Sequence, residues 1–347
     1  MDRVEILQNL TRPSLFGLTA RANCVREEMK GDVVHLRGII EFSSHCVRDC
    51  VYCGLRRSNR HLDRYRIAPD RVVELALGVA AAGVSTVVLQ SGDDLAYAAS
   101  DIAGIVRRIK DRAEIKVTLS VGERPFSDYE MWRHAGADRY LMRHETANPD
   151  LYARLHPGKR LQERLAALLF LKDLGYEIGN GMIVGLPGQT LSDLADDILL
   201  TRRLGVRMCG VGPFIPQSGT PCRDFPNGSL ETTLRVIAVL RLVCPEINLP
   251  ATTALATLDP LDAQLLALIS GANVLMPVFT PAAVRGGYRI FDNKAGVSLE
   301  QAKETISRAM RKVAGQGEES QACRARPRVS GSISASTADE TLESLLC

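Results

Sequence analysis

Eight short apolar runs of strand type, separated by helical patterns, constrain this 347-residue chain more than any other feature. The runs lie near Val33–Ile40, Thr86–Gln90, Ile115–Leu119, Arg139–Met142, Gly179–Ile183, Met208–Val211, Leu249–Thr252 and Asn273–Met276. Helical periodicity falls between them near Asp70–Ala82, Ser100–Arg112, Ser127–Ala135, Leu161–Leu174, Leu191–Leu204, Leu230–Leu242 and Leu261–Ile269. Strands that alternate with helices are joined by crossovers and run parallel. Eight of them predict an α/β fold, a closed (β/α)8 barrel of the TIM type, with a doubly wound open sheet as the competing arrangement. Local signals agree. Pro69 suits a first helical turn, and Gly83, Gly136, Gly175 and Gly205 stand where helices should stop.

Residues 1–30 begin with a charged amphipathic stretch and are expected to form an N-terminal helical extension, with the barrel over 31–314. Residues 315–347 are rich in Gly, Ser, Gln, Glu, Arg and Thr, including a low-complexity run from Ser330 to Ser336. Such a tail buries too little apolar surface to offset its ordering entropy, so disorder is expected, with a short helix at Asp339–Leu346. The N-terminus lacks the apolar core of a signal peptide. The most apolar region, Val72–Gln90, contains Glu74 and two glycines, and reads as a helix and a strand. A cytoplasmic, monomeric protein is expected. The net charge of +3 is small for this length and gives no reason to expect nucleic acid or an anionic membrane as partner.

Of nine cysteines, three lie within eight residues, Cys46-Val-Arg-Asp-Cys50-Val-Tyr-Cys53. The odd count in a chain of this size argues against a disulfide framework. The spacing C-x3-C-x2-C brings three thiolates from one loop to one site, and thiolates suit iron–sulfur clusters or zinc. Structural zinc needs a fourth protein ligand. Neither His45 nor His61 is placed to supply it. Three thiolates on a four-iron cluster leave one iron open for a ligand, and Tyr52 precedes the third cysteine.

Barrel enzymes carry their chemistry on the loops after the strands, and the polar motifs fall there. They are Gln90-Ser91-Gly92-Asp93-Asp94, Thr118-Leu-Ser120-Val-Gly-Glu123, Arg143-His144-Glu145-Thr146-Ala-Asn148, Gly181 to Gly188 with Gly185 inside, Gly212 to Pro216, Pro250-Ala-Thr252-Thr253 and Met276-Pro277. Each alone reads as a wet turn; together they mark one face. Two motifs are decoys. His144-Glu145 lacks the second histidine of a zinc protease, because position 148 is Asn, and Gly185–Thr190 lacks the lysine of a phosphate loop.

The cysteine motif after a first barrel strand resembles the radical S-adenosylmethionine (SAM) superfamily. The set Ile40–Ser44, Tyr52–Leu55, Gln90–Gly92, Arg143–Asn148, Val184–Thr190, Gly212–Pro216 and Pro250–Thr253 resembles, over residues 30–295, the HydE family of [FeFe]-hydrogenase maturases. The resemblance implies that Cys46, Cys50 and Cys53 hold a [4Fe–4S] cluster whose open iron binds SAM and whose electron cleaves it to a 5′-deoxyadenosyl radical. It implies that Arg164 pairs with the SAM carboxylate, that Glu145 contacts the ribose or amino group, and that Ser91, Gly92 and Asp93 hold the amino group. Tyr52, Ser120 and Gly185 join the cofactor site on the same grounds. Ser120 and Arg143 reach the barrel interior, and Thr252 and Thr253 hold the anionic part of the substrate, with Tyr288 beside it. The substrate implied is an iron species carrying CO, cyanide and cysteine. It is supplied by HydG and passed on toward the scaffold HydF, with a ferredoxin or flavodoxin as electron donor.

Asp93 departs from the family's more frequent Glu, and Phe291 from a tyrosine. Ala295–Ser307 holds no cysteine, so no second cluster is expected by that route. Cys209, Cys222 and Cys244 read as small core residues, and Cys323 and Cys347 as incidental. The rival within the superfamily is a methylornithine-synthase-like enzyme acting on an amino acid. Biotin synthase fits less well, because the extra cysteines of its second cluster have no counterpart. A rival from another class is a zinc-binding module without catalysis.

Overall fold

The computed structural model describes residues 1–12 and 14–315. Cys323, Cys347 and the helix expected at Asp339–Leu346 lie outside the described residues. Two helices, α1 (Arg3–Thr11) and α2 (Leu15–Lys30), precede β1 (Val33–Ser43), α3 (Pro69–Ala81), β2 (Thr86–Ser91), α4 (Ala99–Lys110), β3 (Lys116–Ser120), α5 (Phe126–His134) and β4 (Arg139–Leu141). The chain continues through α6 (Pro149–Leu155), α7 (Leu161–Asp173), β5 (Glu177–Val184), α8 (Leu191–Leu204), β6 (Met208–Pro213), α9 (Leu230–Val243) and β7 (Pro250–Ala251). It ends with α10 (Thr253–Leu258), α11 (Ala263–Ile269), β8 (Val274–Leu275), α12 (Ala282–Arg285), α13 (Leu299–Arg308) and β9 (Lys312–Val313).

Strands β2 to β8 pair in chain order, and β1 closes the ring by pairing with both β2 and β8. Every pairing is parallel. The open-sheet alternative is thereby excluded. Strand β9 extends the start of β1, with Val33 opposite Lys312. The glycines expected to end helices do so with positive φ, and Gly205 caps α8 in the left-handed region.

Helices α1 and α2 pack on α8 and α9. Their Ile6, Leu10, Leu18 and Ala22 join the same core as the barrel strands, so the extension is part of the barrel's packing. Behind β3 and β4, Trp132, Tyr129, Tyr140 and Tyr176 form an edge-and-stack cluster. Its polar ends hold the loop after β3. The Tyr140 hydroxyl donates to Gly122 O at 2.8 Å, and the Tyr129 hydroxyl accepts the Arg124 N–H at 2.8 Å. Two buried phenols thus clamp this loop on either side of Glu123.

The N-terminal end of the barrel is filled by charge. Arg139 Nε meets Glu177 Oε2 at 2.8 Å across the β4–β5 register, and its Nη1 donates to Thr86 at 2.8 Å. Buried Arg37 lies against Met208. The opposite end, where the strands run out, holds the site.

Candidate functional site

A cavity of about 330 Å3 opens among the C-terminal strand ends. Cys46, Cys50, Tyr52, Cys53, Ser91, Gly92, Asp93, Ser120, Arg143, Glu145, Arg164, Thr252, Thr253 and Tyr288 all line it. Of the residues selected from sequence, Gly185 does not. It sits at the surface with φ +87°, 2.6 Å from Gly228 Cα at the position a Cβ would take. Its missing side chain lets the loop after β5 cross the loop after β6, a packing role at a distance from the cavity.

The cysteine loop follows β1 and is tied down on three sides. The Val47 N–H donates to Asp93 O at 3.0 Å, Val51 to Leu155 O at 3.0 Å, and Gly54 to Ile290 O at 3.0 Å. Close approach depends on Gly92, where a Cβ would meet His45 O at 2.3 Å and Cys46 Cβ at 2.7 Å. The Asp93 N–H points at Cys46 Sγ, 3.4 Å away. Burial pushes all three thiols up, Cys53 to about 12, with each raised further by its neighbours. Cationic iron would reverse that preference, and loading it would release protons.

The three sulfurs suit a cluster. Among the described residues no three His, Cys, Asp or Glu side chains stand close enough to share a single metal ion. Three thiols on one loop are a donor set that an iron–sulfur cluster takes, each thiolate on a separate iron. Cys209, Cys222 and Cys244 are free and buried in the core.

Next to the cysteines lies a charge network that the sequence motifs leave mostly unassigned. Glu123 accepts Arg164 Nε at 2.8 Å, Lys159 Nζ at 3.0 Å and Arg48 Nη2 at 3.3 Å. Burial alone would raise the Glu123 carboxyl, but Arg164, Lys159 and Arg48 outweigh it and hold it at about 2. Burial works against the Arg164 charge, but Tyr152 and Glu123 keep that residue firmly protonated. Arg164 Nη1 donates to Arg143 O at 2.7 Å. Its Nη2 has no acceptor among the described residues. Asp93 reaches the cavity, but its carboxylate is committed to Arg48 Nε at 2.5 Å and to the Glu123 N–H at 3.3 Å. It fills the hollow left by Gly122, where a Cβ would lie 1.7 Å from Asp93 Oδ1.

On the far wall, Glu145 adopts φ +65°, a conformation that costs a non-glycine residue roughly 1 kcal/mol or more. It is fixed there by Glu145 N–H to Gly181 O at 2.9 Å and Ile183 N–H to Glu145 O at 3.1 Å. Arg143 Nε lies 2.9 and 3.1 Å from the two Glu145 oxygens. A Cβ at Gly181 or Gly210 would come within 3.0 Å of the Arg143 side chain, so both glycines make its room. Deeper, Thr252 Oγ1 donates to Val211 O at 3.2 Å, and Thr253 begins α10. Tyr288 accepts from Gln90 Nε2 at 3.1 Å, and Phe291 lines the same wall. Lys294 meets buried Glu41 at 2.6 Å.

His156 fixes Tyr52. Its Nδ1 lies 2.9 Å from Tyr152 O and therefore carries the proton, leaving Nε2 to accept the Tyr52 hydroxyl at 2.9 Å. Burial, with Arg164 nearby, lowers His156 to about 3, so the ring is neutral. His144, half of the protease decoy, is fully buried and faces Asp197 of α8 at 3.5 Å. Two of the network residues carry a signal in the sequence: Arg48 lies inside the cysteine motif, and Glu123 three residues past β3. Lys159, His156 and Lys294 carry none, while Glu41 lies inside the Ile40–Ser44 segment.

Comparison with known proteins agrees with this geometry. Residues 40–201 match the model of the radical SAM superfamily. Over 273 residues the chain is 47% identical to the [FeFe] hydrogenase maturase subunit HydE of Thermotoga maritima, covering 79% of this chain and 78% of that one. It is 27% identical over 317 residues to 3-methylornithine synthase of Methanosarcina barkeri, covering 90% and 87%. The crystal structure of methylornithine synthase (PylB) shares the fold, with a TM-score of 0.84 at 24% identity over 92% of this chain and 96% of that one. The chain is an enzyme that belongs to the radical SAM superfamily and, within it, to the family of the [FeFe] hydrogenase maturase HydE.

Proposed function

We propose that this enzyme cleaves SAM reductively and directs the product at an iron species carrying CO, cyanide and cysteine during assembly of the hydrogenase cofactor. The observation that carries the reading is the placement of three thiols, one partly free arginine and a deep hydroxyl-lined end on a single cavity. A [4Fe–4S] cluster on Cys46, Cys50 and Cys53 supplies, when bound, the open iron and the electron that split SAM into methionine and a 5′-deoxyadenosyl radical. No second cluster is needed for this.

The chain's residues do the positioning. Arg164 presents Nη2 to the SAM carboxylate, its other nitrogens being anchored on Glu123 and Arg143 O. Glu145, held by Arg143, faces the ribose or amino group. Ser91 and Gly92 offer backbone groups near the amino end. Tyr52, locked by His156, lines the cofactor end of the cavity. Thr252, Thr253 and Tyr288 receive the anionic substrate. Ile39, Met276, Phe214 and Phe291 line the cavity with apolar surface and keep water from a reactive carbon radical. The substrate comes on this reading from HydG and the product goes toward HydF, with a ferredoxin or flavodoxin as donor. The site is proposed to work in the cytoplasm; no helix among the described residues is long and apolar enough to cross a membrane.

The test is anaerobic. The protein is reconstituted with iron and sulfide, reduced with dithionite, and given SAM with either the HydG product or lysine. An adenosylated, sulfur-linked product from the HydG species supports the assignment. Methylornithine from lysine would transfer the enzyme to the second reading, which the 27% identity to 3-methylornithine synthase favours. No cleavage of SAM would refute both.

A further inference from the structure

The loop that carries the cysteines also carries an unusual concentration of charge. Residues 48–66 hold six arginines and two aspartates, a surplus of +4 against +3 for the whole chain. Part of that surplus is met by Asp93, Asp94 and Glu123 from outside the segment, so what matters is which of its arginines stay unpaired. Four of these arginines are used by the fold. Arg48 holds Asp93 and Glu123, Arg56 holds Asp49, and Arg66 holds Asp94. Arg64 donates to the carbonyls of Ser44, Leu55, Arg56 and Asn59. Arg57 and Arg60 are exposed and have no side-chain partner among the described residues. Folding has no use for them.

Their position is informative. The Arg57 N–H donates to Arg48 O at 2.7 Å, and the Arg56 N–H donates to Cys53 O at 3.0 Å. The turn bearing the free charges is thus one hydrogen bond from the backbone of a cysteine. Leu55, just before the turn, lines the cavity. Exposed Arg289 stands beside the turn, because its carbonyl lies where a Cβ of Gly54 would be.

We propose that this arginine turn is the docking surface for an acidic protein that carries one electron to the site. The inference rests on the proposed function, which needs single electrons from outside the chain. Arginine is weakly hydrated and suits interfaces with carboxylate-rich partners. A local patch on a molecule of low net charge steers one face of a partner, whereas a nucleic acid would call for a longer basic track. Each encounter transfers one electron. The carrier leaves oxidised by one electron, and no atom crosses the interface.

The experiment uses the full, cluster-loaded chain and its R57E/R60E variant. Calorimetry measures affinity for an oxidised flavodoxin of net negative charge at low and high salt. A second assay measures 5′-deoxyadenosine formation driven by reduced flavodoxin or by dithionite. The expected result is a salt-sensitive affinity that falls by about tenfold or more in the variant. The flavodoxin-driven rate should fall alongside it, the dithionite-driven rate should not change, and R57K/R60K should restore binding. Equal affinity and equal flavodoxin-driven rate in the charge-reversed variant would overturn the proposal. So would a matching loss with dithionite, which would give these arginines a role in the site itself. If the wild-type chain makes no 5′-deoxyadenosine with dithionite, the functional reading fails instead, and calorimetry alone decides the docking.

Discussion

Replacing Glu123 with Gln should destabilise the protein in a way that depends on pH. The wild-type carboxylate faces three cations, at 2.8, 3.0 and 3.3 Å, with only 10% of its side chain exposed. Its carboxyl is held at about 2 against an ordinary 4.5, a preference for the charged form of roughly 3 kcal/mol. Gln keeps the shape and one acceptor but removes the charge, leaving Arg164 without a carboxylate in a poorly solvated position, while Arg48 keeps Asp93. The expected loss at pH 7 is therefore about 3 kcal/mol. Most of it belongs to Arg164, because Lys159 is more exposed and its ion pair is worth about 1 kcal/mol or less. A depressed carboxyl contributes its stability above its unfolded value and loses it as pH falls through its folded value. The gap between wild type and E123Q should thus be full above pH 4.5 and close as the pH approaches 2. Urea unfolding of the cluster-free chain under reducing conditions, at several pH values, measures it. A gap under about 1 kcal/mol at neutral pH, or one that does not narrow in acid, would refute the reasoning.

The same geometry yields three further outcomes. Cys46→Ala, Cys50→Ala or Cys53→Ala should each abolish reductive SAM cleavage, while the wild-type chain should reconstitute to about four irons; iron analysis and 5′-deoxyadenosine assay check this, and eight irons would point to a second cluster. Arg164→Ala removes a charge-assisted bond worth about 1.5–3 kcal/mol and should weaken SAM binding by roughly 10- to 150-fold; equilibrium binding to the reconstituted protein that showed no change would place SAM elsewhere. Gly181→Ala puts a methyl 2.5 Å from Gly210 O and 3.0 Å from Arg143 Cγ, at a cost of about 1–3 kcal/mol; an unchanged melting curve would mean that Arg143 is not packed there.

The barrel is legible in the sequence because its strands and long helices repeat one pattern, and core burial obeys that pattern. Short helices escape notice. Helix α6 has seven residues and α10 six, too few for an amphipathic period to show. Yet α6 receives the cysteine loop through Val51 and carries the carbonyl that sets the His156 tautomer. The site separates in the same way. Cys46, Cys50 and Cys53 are close in sequence, and their chemistry is written in their spacing. The Glu123 network draws on loops 75 and 111 residues from Arg48 (Glu123 and Lys159), and only folding joins them. Asp93 lies at the cavity as its motif suggests, and its partner Arg48 is marked by lying inside the cysteine motif, but only folding pairs the two. Gly185 is selected by its neighbours in a motif, and its left-handed backbone shows that it answers to a crossing loop.

The hollow formed by Gly181 and Gly210 has a consequence for how such a site changes over time. The cationic group deep in the cavity stands where two neighbouring strands lack methyl groups. A single carbon added on either strand would press on Arg143 and shift it by a few tenths of an ångström. The cavity's charge and free volume are therefore coupled, and two positions with no side chain govern both. A descendant barrel could reposition this cation through those positions alone, with the cysteine loop left as it is.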